Sequence, residues 1–171
     1  MQRPEDPKYA DYLEKTLSGA VRKSYPLFAN EALEIGADRL KEVCRILRDE
    51  CGFKTLLDIS ALDWLKHPRF SERPSRFELD YFLFNFDLNH RVQLKVAVPN
   101  GDKPEVDSIV DVYSIADWME REAYDMMGIV FKGHPNLKRL LMWEGFEGYP
   151  LRKDYPLAKR QPIPVLDKIV T

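Results

Sequence analysis

The chain is poor in the residues from which reactive centres are built. Among 171 residues there are two cysteines and three histidines. Two thiols cannot supply the four thiolates an iron–sulfur cluster usually takes, and no second His or Cys stands at metal-ligand spacing from His134. Cys44 and Cys51 lie seven residues apart in a helical pattern, roughly 10 Å along the axis and out of disulfide reach. Both read as core packing residues, reduced in a cytoplasmic setting. No apolar run approaches the ~20 residues that span a bilayer, and no signal peptide opens the chain. The expectation is a soluble, cytoplasmic protein that meets a membrane only through a partner. A formal charge of −2 argues against a general polyanion binder. Gly-rich phosphate loops, nucleophile elbows and dinucleotide fingerprints are missing as well.

What is present is ordinary globular composition, 44% hydrophobic and 12% aromatic, in a length that suits one domain with appendages. A first helix is predicted from near Pro7, with Tyr9, Tyr12, Leu13, Thr16, Leu17 and Ala20 on one face. Pro26 breaks the chain, and a short extended piece follows over 32–35. Leu40, Val43, Cys44, Leu47 and Cys51 stripe a second helix that Gly52 stops. Residues 53–59 read as a buried strand, and 62–74 as a loop broken by Pro68 and Pro74. A β-hairpin is the strongest local signal: Phe77, Leu79, Tyr81 and Leu83 alternate with polar and aromatic residues, then Val92, Leu94, Val96 and Val98 do the same after a turn over 87–90. Val106, Ile109, Val110 and Val112 suggest one more short strand. Ser114 starts a third helix with Asp117 as a capping partner. Its apolar face is Ile115, Trp118, Met119, Ala123, Met126 and Met127, and Gly128 ends it. Asp117–Arg121 and Arg121–Asp125 fall at i,i+4 on its polar side.

Beyond Met142 regular structure fades, because Gly145, Gly148, Pro150, Pro156, Pro162 and Pro164 forbid a long helix or central strand. From Pro150 onward five basic and two acidic residues give a net charge of about +3. The expected organisation is an α+β core over 1–142 and an extended tail over 143–171 that orders against another surface.

Few side chains invite a chemical reading. Glu122 falls on the predicted apolar stripe, where a carboxylate is costly unless paired. It reads either as a general acid or base or as a structural ion pair with an arginine such as Arg139 or Arg152; the pair with Arg139 is preferred, since no second polar partner stands nearby. His134, in a Gly-His-Pro turn, reads as capping backbone groups or touching a partner rather than binding metal. Phe82, Phe84 and Phe86 could stack bases, but the packing of a sheet face under helices explains them more simply. A free-standing enzyme using Glu122 and His134, or an RNA-binding sheet, are therefore the rivals to a docking module.

The densest stretch is Glu120-Arg121-Glu122-Ala123-Tyr124-Asp125-Met126-Met127-Gly128-Ile129, then Phe131, Gly133-His134-Pro135-Asn136-Leu137, Arg139 and Leu140. It is followed by Gly148-Tyr149-Pro150-Leu151-Arg152-Lys153-Asp154-Tyr155-Pro156. In order and separation these two runs resemble the hallmarks of the C-type, or 30-kDa-type, subunit of respiratory complex I, the proton-pumping NADH:quinone oxidoreductase. They cover about a quarter of the chain, and the helix–strand–hairpin order extends the likeness loosely to most of it. Met127 departs from the Phe or Tyr usual there, and Asn136 from the usual Asp. The length suggests a form without a long C-terminal extension or fusion to the large subunit.

The resemblance implies an α+β two-layer domain, with helices on one face of a mixed, largely antiparallel sheet and an extended C-terminal tail. It implies a non-catalytic subunit of the hydrophilic arm, on the cytoplasmic side of the cell membrane, within a translocase that moves electrons from NADH to quinone. It implies no cofactor in this chain, with FMN and iron–sulfur clusters in other subunits. The implied partners are the large hydrogenase-like (D-type) subunit near the quinone site and other hydrophilic-arm subunits, with no nucleic acid. His134, Tyr149, Leu151, Arg152, Lys153, Asp154, Tyr155 and Pro156 are the expected partner contacts, Tyr149 and Tyr155 as anchors and Arg152 as the bidentate cation. Asp154 could instead cap backbone amides or pair with Arg152. Related membrane-bound hydrogenases and ferredoxin- or F420-linked complexes use the same family and are the alternative setting.

Overall fold

A computed structural model describes residues 8–27, 30–101 and 103–161. The elements run α1 (Tyr9–Thr16), β1 (Val21–Leu27), β2 (Asn30–Ile35), α2 (Leu40–Asp49), β3 (Thr55–Asp63), β4 (Phe77–Asn85), β5 (His90–Ala97), β6 (Glu105–Asp107), α3 (Ala116–Met127) and β7 (Val130–Lys132). Five strands form one sheet in the order β1-β2-β5-β4-β3, with β2 and β5 parallel and every other neighbour antiparallel. This is the α+β fold with a mixed, mostly antiparallel sheet that the family resemblance implies. β6 and β7 pair in parallel as a separate ribbon.

Period-two alternation decides which face of the sheet is buried. Leu79, Tyr81 and Leu83 of β4 and Val92, Leu94 and Val96 of β5 are almost wholly buried. They meet Leu40, Val43, Cys44 and Leu47, the stripe of α2. Tyr113 closes this layer: its hydroxyl donates to the Phe53 carbonyl at 2.7 Å. Phe82 and Phe84 point to the opposite face and are only half-buried, and Phe86 is 72% exposed. The expectation that they pack under helices is therefore wrong by one strand face. Phe84 packs edge-on against Phe86, with the Arg91 guanidinium over its ring.

That outer face also carries nearly buried charge. Lys95 Nζ lies 2.8 Å from Glu78 and 3.0 Å from Asp80, and Gln93 donates to Asp80 at 2.8 Å. The loop after β3 roofs part of it: Arg73 reaches Glu78 at 3.4 Å and stacks on the Trp64 ring. Burial raises the Asp80 pKa, and Lys95 only partly offsets this.

Other departures have local causes. Pro26 does not break the chain but sits inside β1, an edge strand, where a missing N–H costs no ladder bond. The region expected as one strand over 106–112 pairs only over Glu105–Asp107, after which the chain turns. Ser114 makes no side-chain cap, and α3 begins at Ala116 after Ile115. Gly128 ends α3 as expected, with a left-handed φ of 71°. The predicted helix start at Pro7 and the tail prolines 162 and 164 lie outside the described residues.

Leu83→Ala is expected to cost about 2–5 kcal/mol, and Phe86→Ala less than about 1 kcal/mol, in denaturant unfolding of the purified chain. Equal losses would contradict the assignment of the two faces.

Candidate docking site

Helix α3 packs beside β3, and its last turn organises the stretch that follows. Asp125, with a side chain that is 0% exposed, is the centre. One oxygen takes the Arg139 guanidinium at 2.7 Å. The other accepts the backbone N–H groups of Leu140, Leu141 and Met142 at 3.0, 2.7 and 2.8 Å. Burial alone would raise the Asp125 pKa, but these donors overcome it and hold the carboxyl below its usual range. Arg121 adds two more ties by donating to the carbonyls of Lys138 and Arg139. A segment without regular structure is thereby fixed on the helix.

The second run docks at the end of the same helix. Gly128 is needed twice there. Its φ is positive, and a Cβ would collide with Tyr149 and with the Arg152 guanidinium. Leu151 N–H donates to the Met126 carbonyl at 3.2 Å and Arg152 Nε to that of Met127 at 2.6 Å, supplying partners for carbonyls that a helix end leaves open. Arg152 lies between the Tyr149 and Phe77 rings. Arg139 reaches Gly148 O at 3.0 Å and stacks on Tyr149 and Phe146.

A third contact ties the run to the sheet. Arg76 grips Asp63 through two bonds of 3.0 and 2.7 Å and Asp154 through two of 3.0 and 2.7 Å. Asp63, 0% exposed at its side chain, also accepts Lys153 N–H at 2.9 Å, and Lys66 Nζ donates to Lys153 O at 2.8 Å. Burial pushes the Asp63 pKa up, while the Arg76 and backbone donors bring it below the usual range. Asp154 is held down chiefly by Arg76. Gln161 bonds Tyr155 Oη and exchanges two bonds with the Glu147 backbone.

This geometry corrects several sequence expectations. Glu122 is exposed, and Arg139 pairs with Asp125 instead. The buried acids of α3 are Glu120 and Asp125, both 0% exposed. Trp118, expected to face inward, is 57% exposed; the helix is rotated from the expected phase, and Glu122 turns outward with it. Arg121 serves carbonyls rather than Asp117 or Asp125. His134 turns its side chain inward, 0% exposed, with Nε2 3.2 Å from Asp117 O and Nδ1 accepting Asn136 N–H at 3.0 Å. It braces the turn against α3. Arg152 and Asp154 are engaged within the chain rather than free for a partner. Tyr149 and Tyr155 are half-buried in the same packing, while Leu151, Lys153 and Pro156 remain exposed. Neither Asp63 nor Arg76 stood out in the sequence, because they meet each other across 13 positions and Asp154 and Lys153 across 78 and 90.

Among the described residues no group of three His, Cys, Asp or Glu could hold a metal ion. A groove of about 360 Å³ on the outer face is lined by Arg22, Glu34, Glu72, Arg73, Glu78 and Lys95. It contains neither Glu122 nor His134, so the pocket uniting them that an enzymatic reading requires is not formed there. The two runs form instead a segment, described to residue 161, that is clasped onto the α+β domain.

Residues 33–161 match the family described as respiratory-chain NADH dehydrogenase, 30 Kd subunit. The chain is 46% identical over 128 residues to the C-type subunit of NADH-quinone oxidoreductase from Maricaulis maris, covering 74% of this chain and 60% of that one. It is 42% identical over 151 residues to the C-type subunit from Sinorhizobium medicae, covering 87% and 71%. It also matches the second C/D-type subunit of the Aquifex aeolicus NADH-quinone oxidoreductase at 42% identity, over 79% of this chain but 22% of that longer protein. The chain belongs to the 30-kDa subunit family of respiratory-chain NADH dehydrogenases, the family of the C-type subunits of NADH-quinone oxidoreductases. It spans about three-fifths of the length of the Maricaulis maris relative. A chain in the structure of the membrane-bound sulfane sulfur reductase, an archaeal respiratory membrane complex, shares the fold with a TM-score of 0.73 at 24% identity, over 88% of this chain and 85% of that one.

Asp125→Asn is expected to cost about 3–5 kcal/mol, the range for breaking a buried ion pair, in chemical denaturation at pH 7. Because the Asp125 and Asp63 pKa values are lowered by folding, their contribution is present above the unfolded carboxylate range and is lost as pH falls through and below it. Acid unfolding of the Asn variant should therefore be shallower below about pH 4. A variant as stable and as acid-sensitive as the parent would contradict the assigned role. Gly128→Ala should cost at least about 1–3 kcal/mol from its backbone angle alone; a neutral effect would remove the close approach of Tyr149 and Arg152.

Proposed function

We propose that this chain is a non-catalytic subunit of a proton-translocating NADH:quinone oxidoreductase, docking on the large D-type subunit near the quinone site. The observation that carries the reading is the clasp: ion pairs and backbone bonds hold the C-terminal run rigid while its apolar side chains face outward. Leu141 is 58% exposed and Leu151 54%, and the backbone N–H of each is fixed to α3. The same stretch carries exposed Lys153, Lys159 and Arg160, with Lys159 3.8 Å from Glu147. Ordered, exposed apolar groups among charged side chains suit a protein partner with an apolar patch and polar margin. Rigidity held by internal bonds lowers the ordering cost of association.

The partner assignment draws support from the Aquifex aeolicus relative, whose name joins the C and D types in one polypeptide. Identities of 46% and 42% to C-type subunits of NADH-quinone oxidoreductases, against 24% to the reductase chain, favour the NADH-linked setting over related membrane complexes. In this reading FMN and iron–sulfur clusters reside in other subunits, and this chain supplies surface on the cytoplasmic side of the membrane. Among the described residues no helix is long and apolar enough to cross a membrane, so attachment runs through the complex. Of the partner contacts expected from the sequence, Leu151, Lys153 and Pro156 meet the partner directly. Tyr149, Arg152, Asp154 and Tyr155 shape the face from behind, and His134 braces the turn.

Leu141→Asp with Leu151→Asp should raise the Kd for the purified large subunit at least about tenfold, roughly 1.4 kcal/mol, with the melting temperature of the isolated chain little changed. Undiminished affinity in calorimetry would contradict this docking face.

A further inference from the structure

Glu120 is a buried carboxylate of α3 with no ion pair among the described residues. Its side chain lies in the core, 0% exposed. One oxygen accepts Ile109 N–H at 2.8 Å, and the Ser108 side chain, which accepts Val110 N–H, lies near the carboxyl. The other oxygen, Oε2, is buried without a hydrogen-bond partner among the described residues, and so is the hydroxyl of fully buried Tyr81. The groups packed around this carboxyl do little for a negative charge. α2 presents the Cys44 thiol and, further off, Lys41, whose ammonium is held 2.9 Å from Asp111. β4 presents the Tyr81 phenol. The turn after β6 presents Ser108, and α3 itself adds Asp117, which faces His134.

We propose that Glu120 is a proton-operated clamp: neutral, it fastens α3 to the Ser108–Ile109 turn, and on ionisation the helix loosens from that turn. The physical basis is desolvation. A neutral carboxyl accepts the Ile109 bond at little desolvation cost, whereas an ionised one, although it accepts that bond more strongly, brings into apolar surroundings a charge that this bond does not offset. Burial is the main cause of a raised pKa of about 7, against the Ser108 side chain and the Ile109 hydrogen bond, which lower it. Folding thus favours the protonated form, so the hold is strongest at acid pH and weakens as pH rises from the unfolded carboxylate range through neutrality. The clamp concerns the fold alone and is independent of the docking partner, although α3 also carries Asp125 and hence the clasp.

Hydrogen exchange of α3 backbone amides in the full chain, corrected for intrinsic rates, tests this. Protection should fall about tenfold between pH 6 and pH 8, while Glu120→Gln, which keeps shape and acceptor, should show almost no change. Flat protection in the parent, or the same fall in the Gln variant, would overturn the proposal. If that variant fails to fold, carbon-13 titration of the Glu120 carboxyl in the parent decides: a midpoint above about pH 6 supports the clamp, and any lower midpoint overturns it.

Discussion

One buried carboxylate sets the form of the irregular stretch that follows α3. Asp125 accepts three consecutive backbone N–H groups and a guanidinium at the end of α3. A segment with Gly145, Gly148, Pro150 and Pro156 cannot satisfy its backbone in a helix or a sheet ladder. It uses side-chain partners instead, and Asp125 is the densest of them. Once that stretch is fixed, Arg139 and Gly128 receive Tyr149, and Arg152 reaches the last helical carbonyls. The order of dependence runs from helix end to clasp to displayed surface.

The sheet supplies the second anchor. Asp63 at the end of β3 and Arg76 just before β4 stand side by side because β3 and β4 pair antiparallel up to Asp63↔Phe77. Register alone therefore places a carboxylate and a guanidinium together where the run over 152–154 passes. Asp63 is fully desolvated, so it depends on its donors; the Asp154 side chain is half exposed and contributes less. The cation is shared, and the tail is held through Asp63 and the Lys153 amide more than through the surface pair.

Much of the fold is legible in the sequence because it follows from period and punctuation. The hairpin, the stripe of α2 and the stop at Gly128 are local signals. The helix phase of α3 is not, because Trp118 looks apolar yet faces out, with the Arg121 guanidinium over its ring. That single residue decides whether Glu122 or Glu120 joins Asp125 as a buried acid of the helix. β1 is hidden by Pro26, which an edge strand tolerates. The clasp is invisible from spacing, since Asp63, Arg76 and Met127 meet residues far along the chain. Arg152 and Asp154 accordingly read as contacts for another protein when their first partners are in their own.

The C-terminal run is fastened to the domain by the chain's own carboxylates and helix-end carbonyls, before any partner arrives. Amide hydrogen exchange on the isolated chain, read at Leu140, Leu141, Met142, Leu151 and Lys153, addresses this most directly. These five amides should be protected at neutral pH, with protection at Leu140–Met142 lost in Asp125→Ala. Exchange at unstructured-peptide rates in the isolated parent chain would contradict it.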